Sequence, residues 1–358
     1  MTGAIDPEWI PTPGYARTRD GVSIAYCDVG TGPGFVLMPG VPFSDFVAEW
    51  RIPVVRRAYG ALADDVRLIQ YDGRGTGHSQ RDVADVSLTA MIADLDAVVA
   101  ARGLARFSLL GFYNSSTTAL AYAARHPDRV RSLVLFGGTA RGWTPMSGPE
   151  TQALLSLIER DWDTFVESIT HAWLGWPPGD EGRLAAEWFR NATTPDVARA
   201  TLRAASATDV TTDLPAIRCP VLVLHRADAH VVSLEASQEL AAALPDGRLE
   251  ILPGSSASLF FEAADDVIAR IVRFVTGRPP AEPLRTSVSS ANAVGSALTP
   301  RETDVLRRIA AGDTNADIAR RLGISINTVE RHTTNLYRKI EARGRADATA
   351  FAIRHGIA

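Results

Sequence analysis

The chain has 358 residues, 46% of them apolar and 22% charged, with a net charge of −4. This is ordinary globular usage, so wholesale disorder, collagen and coiled coil are excluded, and at roughly 150 residues per domain the length predicts two domains. No run approaches the roughly 18 apolar residues of a membrane helix, and Cys27 and Cys219 are too few for a disulfide framework or a thiolate metal site.

The opening MTGAIDPEWIPTPG carries acids and prolines where a secretion leader carries a basic and then an apolar segment, which predicts a cytoplasmic protein. A hairpin follows, Tyr15–Thr18 and Val22–Cys27, turning at Asp20-Gly21. Apolar runs then recur at Phe35–Met38, Val66–Tyr71, Phe107–Phe112, Leu133–Phe136, Val221–Leu224 and Leu249–Leu252. Short continuous strands separated by helices predict an α/β fold with a parallel sheet covered on both faces.

Between about residues 139 and 209 the strand rhythm gives way to helical periods. Five of the seven tryptophans lie there: Trp143, Trp162, Trp173, Trp176 and Trp188. Large aromatics in a helical insertion after a strand predict a lid over a cavity at the strand ends. Core packing of a small helical subdomain is the alternative. The stretch Gly277–Pro300, with four prolines and four serines, reads as an interdomain linker, assigned to residues 277–297.

From Leu298 to Ala358 there are 11 basic and 7 acidic residues, against 26 and 34 in the rest of the chain. A basic module on an acidic body points to a polyanion at one end. Thr299-Pro300-Arg301-Glu302 opens a first helix with a capping box, and Thr314 with Asp317 opens a second. Gly323-Ile324-Ser325 then makes a tight turn into a third helix through Val329, Leu336 and Ile340. Helix, glycine turn and helix define a helix-turn-helix, whose second helix enters the major groove.

Residues 15–276 resemble the α/β-hydrolase fold. The resemblance rests on Met38-Pro39-Gly40, Asp72-Gly73-Arg74-Gly75-Thr76-Gly77-His78-Ser79, Gly111-Phe112-Tyr113-Asn114-Ser115, Val221-Leu222-Val223-Leu224-His225 and Leu252-Pro253-Gly254, in that order. In that family a serine in a G-x-S-x-G turn attacks, activated by a histidine and a carboxylate from later loops. The resemblance aligns Tyr113 with the serine, Ala229 with the acid and Ala257 with the histidine. It therefore implies a pseudo-hydrolase with no catalytic residue, cofactor or metal. The N–H groups of Val41 and Asn114 match the oxyanion-hole positions. With Tyr113, Ala229, Ala257 and the lid residues Trp143, Trp173 and Trp176, they are the expected ligand-binding set for a small apolar or aromatic effector.

Leu298–Ala358 resembles the LuxR-type (GerE-like) DNA-binding domain. The match runs through Leu298-Thr299-Pro300-Arg301-Glu302, Val305-Leu306, Gly312, Thr314-Asn315, Ile318-Ala319, Leu322, Ser325, Thr328-Val329, His332, Asn335-Leu336 and Lys339. It implies a recognition helix at about 326–341. There Arg331, Arg338 and Lys339 would meet phosphates, and Asn327, Glu330 and Thr334 base edges, with Ser325 and Thr328 at its start. Asn315 and Arg320 would clamp the backbone from the preceding helix. The last helix, with Ala346, Ala350 and Ile353 along one face, would pair two copies of the chain.

Together these resemblances imply a ligand-responsive transcription regulator. Its partners would be a double-stranded DNA operator, a small effector, a second copy of itself and RNA polymerase. Two alternatives stay open at this point: an α/β hydrolase with non-standard catalytic groups fused to a DNA-binding domain, and a ligand-independent dimeric regulator.

Overall fold

The computed structural model describes residues 9–142, 149–174, 180–229, 231–279, 298–310, 313–340, 342 and 344–354. They form two units, Met1–Pro283 and Leu284–Ala358, and the division falls inside the stretch read as a linker.

In the first unit the Asp20-Gly21 turn, with Gly21 at φ +86°, joins β1 (Gly14–Arg17) to β2 (Ser23–Val29). The other strands are β3 (Gly34–Leu37), β4 (Arg67–Tyr71), β5 (Phe107–Phe112), β6 (Val130–Phe136), β7 (Val221–Arg226) and β8 (Gly247–Leu252). Together they form one eight-stranded sheet in the order β1-β2-β4-β3-β5-β6-β7-β8. Strands β1 and β2 pair antiparallel, β2 joins β4 antiparallel, and all later pairings are parallel. The central strands β3 and β7 are buried along their whole length, which is why their sequences are continuous apolar runs rather than alternating ones.

Helices cover both faces. Residues Val55, Tyr59 and Leu62 of α2 (Pro53–Ala63) and Val267, Ile268 and Ile271 of α11 (Ala264–Thr276) pack on one side. On the other side α3 (Leu88–Ala101), α4 (Ser115–Arg125) and α10 (Leu234–Ala243) supply Leu95, Val98, Leu120 and Leu240. One buried ion pair ties the loop after β4 to α3: Arg74 Nη2 lies 2.9 Å from Asp94 Oδ1, both side chains almost fully enclosed.

Between β6 and β7 the chain forms α5 (Pro149–Leu155), α6 (Leu157–Arg160), α7 (Trp162–Leu174), α8 (Asp180–Ala192) and α9 (Pro195–Ala207). Phe165, Val166, Ile169 and Phe189 give this insertion its own apolar centre, which closes on Phe43 of the loop after β3. Phe43 and Phe189 stack with ring centroids 4.6 Å apart. Gly77 N–H donates to Ala192 O at 2.7 Å, and Arg81 reaches the same carbonyl at 2.7 Å, which ties the insertion to the sheet domain.

The second unit contains α12 (Pro300–Ala310), α13 (Asn315–Leu322), α14 (Ile326–Lys339) and α15 (Arg345–Arg354) around Val305, Leu306, Ile318, Val329, Leu336 and Ala348. Both expected capping boxes are present. Thr299 N–H donates to Glu302 at 2.7 Å and Glu302 N–H returns to Thr299 Oγ1 at 3.3 Å, while Thr314 and Asp317 repeat the arrangement. Gly323, at φ +64°, ends α13, and Ser325 caps α14 two residues later. That left-handed position makes the turn of the helix-turn-helix.

Candidate functional site

Strand β5 ends at Phe112 and α4 begins at Ser115, so the chain must reverse within two residues. Tyr113 does this at φ +45°, a left-handed conformation that costs a side-chain-bearing residue about 1–2 kcal/mol. Its surroundings enforce it. Tyr113 N–H donates to Phe136 O at 3.1 Å, and Ser116 N–H donates back to Tyr113 O at 3.0 Å. Ser115 Oγ donates to Phe112 O at 2.9 Å and accepts from Phe112 N–H at 3.0 Å. Gly137 is required beside it, because a Cβ there would stand 2.6 Å from the Tyr113 ring. The sharp turn of a nucleophile elbow is intact, with a phenol at its apex.

A cavity of about 120 Å³ opens beside this turn. Leu37, Gly40, Val41 and Phe43 bound it on one side and Phe112, Tyr113 and Asn114 beneath. Trp188 and Phe189 of the insertion close it, with Val231 and the loop 257–261. An apolar cavity on the order of 150 Å³ takes up a molecule of benzene size, so the space suits a single ring. Among the described residues the Val41 and Asn114 N–H groups have no hydrogen-bond partner. Burial drives the Tyr113 hydroxyl well above its ordinary pKa, with only the charge of Arg226 acting against it, so it stands there as a neutral phenol.

Of the residues expected at this site, Val41, Tyr113, Asn114 and Ala257 come together around the cavity. Ala229 does not line it. The turn after β7 closes on itself through Ala229 N–H to Arg226 O at 3.1 Å and Asp228 N–H to Gly254 O at 3.0 Å, and Val231 forms the wall instead. Trp143 and Trp176 lie outside the described residues, and of Trp173 only the backbone, on α7, is described. Among the described residues the insertion's aromatic contribution is Trp188 and Phe189.

Sequence reading also missed Glu49 and Tyr59, which line the far wall. Glu49 lies on the short helix α1 (Phe46–Arg51) and is 8% exposed. The Tyr59 hydroxyl donates to Glu49 Oε2. Burial pushes the Glu49 carboxyl up to about 8; the Tyr59 bond opposes this, and Asp72 and Asp45 add to it. An acid inside an apolar helix was the available signal. Among the described residues no histidine, arginine or lysine lines the cavity. Among the described residues the one buried serine–histidine contact, Ser237 Oγ to His225 Nδ1 at 2.9 Å, involves residues that do not border the cavity.

At the end of β7 the structure has a buried cation, Arg226. The Arg226 guanidinium donates to Pro253 O at 2.9 Å, Glu262 O at 2.6 Å and Leu259 O at 3.3 Å. These bonds set the course of the loop that brings Ala257 to the cavity.

In the second unit, α14 turns Val329 and Leu336 inward and leaves Glu330, Arg331 and Thr334 exposed. Asn327 and Arg338 occupy the same helix at matching spacing, though of these two only the backbone is described. Ser325 and Thr328 are bound into the N-cap, their hydroxyl oxygens 2.8 Å apart. Asn315 opens α13, and Arg320 pairs with Asp317 at 2.9 Å while keeping three quarters of its side chain exposed. Lys339 reaches back to Glu302 at 2.7 Å, so it ties α14 to α12. Ile326, 47% exposed at the first turn of α14, is an apolar group that the sequence reading passed over.

Residues 50–264 match the alpha/beta hydrolase fold family, and residues 296–352 match the luxR family of bacterial regulatory proteins. The chain belongs to the alpha/beta hydrolase fold family and carries a luxR-type DNA-binding domain, which together make it a regulator built on a hydrolase scaffold. It is 33% identical over 227 residues to a protein of Caulobacter sp. (strain K31) assigned as the carbamate hydrolase RutD, covering 61% of this chain and 83% of that one. It is 27% identical over 279 residues to the non-heme haloperoxidase of Rhodococcus erythropolis, covering 73% and 98% respectively. An esterase from Exiguobacterium antarcticum shares the fold at 20% identity and a TM-score of 0.64, over 74% of this chain and all of that one. No helix among the described residues is long and apolar enough to cross a membrane.

Proposed function

We propose that the chain is a one-component transcription regulator whose former active site holds a small, largely apolar effector. The observation that carries this reading is the elbow: Tyr113 keeps the left-handed geometry of a nucleophile position, beside an open apolar cavity bordered by no histidine among the described residues. A buried phenol held neutral, with no histidine among the described lining residues to take its proton, is a floor for a ligand rather than a nucleophile. The free N–H groups of Val41 and Asn114 add donors for a ligand acceptor group.

The exposed face of α14 reads the operator. Arg331 meets phosphate, as would Arg338; Glu330, Thr334 and Ile326 meet base edges, Ile326 being suited to a thymine methyl. Positions 346, 350 and 353 of α15 lie along one helix face at the spacing of a pairing surface, so a dimer would read two half-sites. Effector binding shifts the disposition of the two DNA-binding domains by no more than its differential affinity for the two states, and so changes what RNA polymerase meets at the promoter.

The test is hydrolysis of an activated aryl ester by the full-length chain and by Tyr113→Phe, with DNA binding of both followed in parallel. Equal background rates with DNA binding retained are expected. Turnover abolished by Tyr113→Phe would make the chain an enzyme.

A further inference from the structure

We infer that Glu49 is the polar anchor of the cavity, and that the effector is a single-ring molecule bearing an amine. This rests on the pocket reading above and specifies its ligand. Glu49 is more than nine-tenths buried and lines the cavity. Its Oε2 is occupied by the Tyr59 hydroxyl, whereas Oε1 has no hydrogen-bond partner among the described residues. On the cavity wall, Oε1 is open to a hydrogen-bond donor brought by a ligand.

The sign of the ligand follows from the surroundings. The groups facing Glu49 are Tyr59 on α2, Asp72 after β4, Asp45 before α1 and Cys27 on β2; His78, 3.4 Å from Asp45 Oδ1 and 3.7 Å from Asp72 Oδ2, stands behind the two aspartates. Among the described residues no arginine, lysine or histidine lines the cavity. Such a site repels a carboxylate and attracts an ammonium. The ring occupies the apolar space between Phe112, Phe189 and Phe260, and the nitrogen meets Oε1.

In the empty cavity Glu49 is held protonated below pH about 8, so an arriving ammonium displaces its proton to solvent. The balance is one proton released for each ammonium–carboxylate pair formed.

The experiment is calorimetric titration of the full-length chain at about pH 6.5 with four single-ring probes: benzylamine, benzyl alcohol, toluene and benzoate. The expected order is benzylamine, benzyl alcohol, then toluene, with benzoate excluded. Benzylamine should release about one proton, read from buffers of different ionisation enthalpy. Glu49→Gln, which keeps an acceptor for Tyr59, should weaken benzylamine by about 10- to 100-fold, abolish proton release and leave toluene unchanged. Benzoate binding best, or benzylamine binding without proton release, overturns the assignment of Glu49 and leaves the pocket standing. Failure of all four probes overturns the pocket itself. The probe series on the unmodified chain decides the matter even if the variant does not fold.

Discussion

Replacing Ala257 by leucine adds three carbons to the wall of the cavity. At about 0.8 kcal/mol per buried methylene the full gain would be about 2 kcal/mol, and partial exposure of the site reduces it to about 1–2 kcal/mol. An upper bound comes from the space itself: about 120 Å³ at about 24 cal/mol per Å³ amounts to about 3 kcal/mol of missing contact. Unfolding the full-length chain in urea, and following the hydrolase-fold transition, should show a higher midpoint with an unchanged slope. At a slope of about 3 kcal/mol/M the midpoint moves by about 0.5 M. The same variant should bind none of the single-ring probes. A loss of about 1–3 kcal/mol, the usual result of overpacking, would mean that the space is not there. Stability gained where ligand binding is lost is the mark of a cavity kept open for use.

Removing the carboxylate in Asp94→Ala takes away the buried partner of Arg74 but leaves its contact with Asp20 at 2.8 Å, and should cost about 1–3 kcal/mol in urea unfolding; unchanged stability would contradict the enclosure of that pair. Glu49 makes stability depend on pH. Its carboxyl is raised from an ordinary 4.5 to about 8 when folded, so the folded state holds a proton that the unfolded state gives up. Its favourable contribution is therefore complete below about pH 4.5 and falls away as pH rises towards 8, by up to about 1.4 kcal/mol per unit. Glu49→Gln should flatten that slope, and an unaltered pH profile would place the titration elsewhere. In DNA binding, Arg331→Ala should lower the slope of log affinity against log salt by about 0.9 per half-site, whereas an unchanged slope would remove Arg331 from the phosphates.

The scaffold was legible because its signals are local. Each apolar run became a strand within a few residues of its expected ends, since in strands such as β3 and β7 burial on both faces leaves an unbroken apolar stretch. Both capping boxes and the Gly323 turn follow from residues three or four apart. The elbow was legible for the same reason: its sequence sits at one strand-to-helix turn.

What the sequence hid is tertiary. The cavity wall is assembled from separate segments, so Val231 rather than Ala229 reaches it, and the reason lies in main-chain bonds to Arg226 and Gly254. Glu49 looks like one more acid on a helix until Tyr59 and Phe260 close around it. Lys339, spaced for a phosphate, is held by Glu302, 37 residues earlier in the chain.

The central claim is that occupancy of the elbow cavity changes how the chain holds DNA. The direct measurement is the affinity of the full-length chain for a duplex selected by its own binding, at fixed salt, with and without saturating benzylamine. A shift of about 5- to 150-fold, absent in Ala257→Leu, is the predicted result. Saturable benzylamine binding with identical DNA affinity in both conditions would contradict the account.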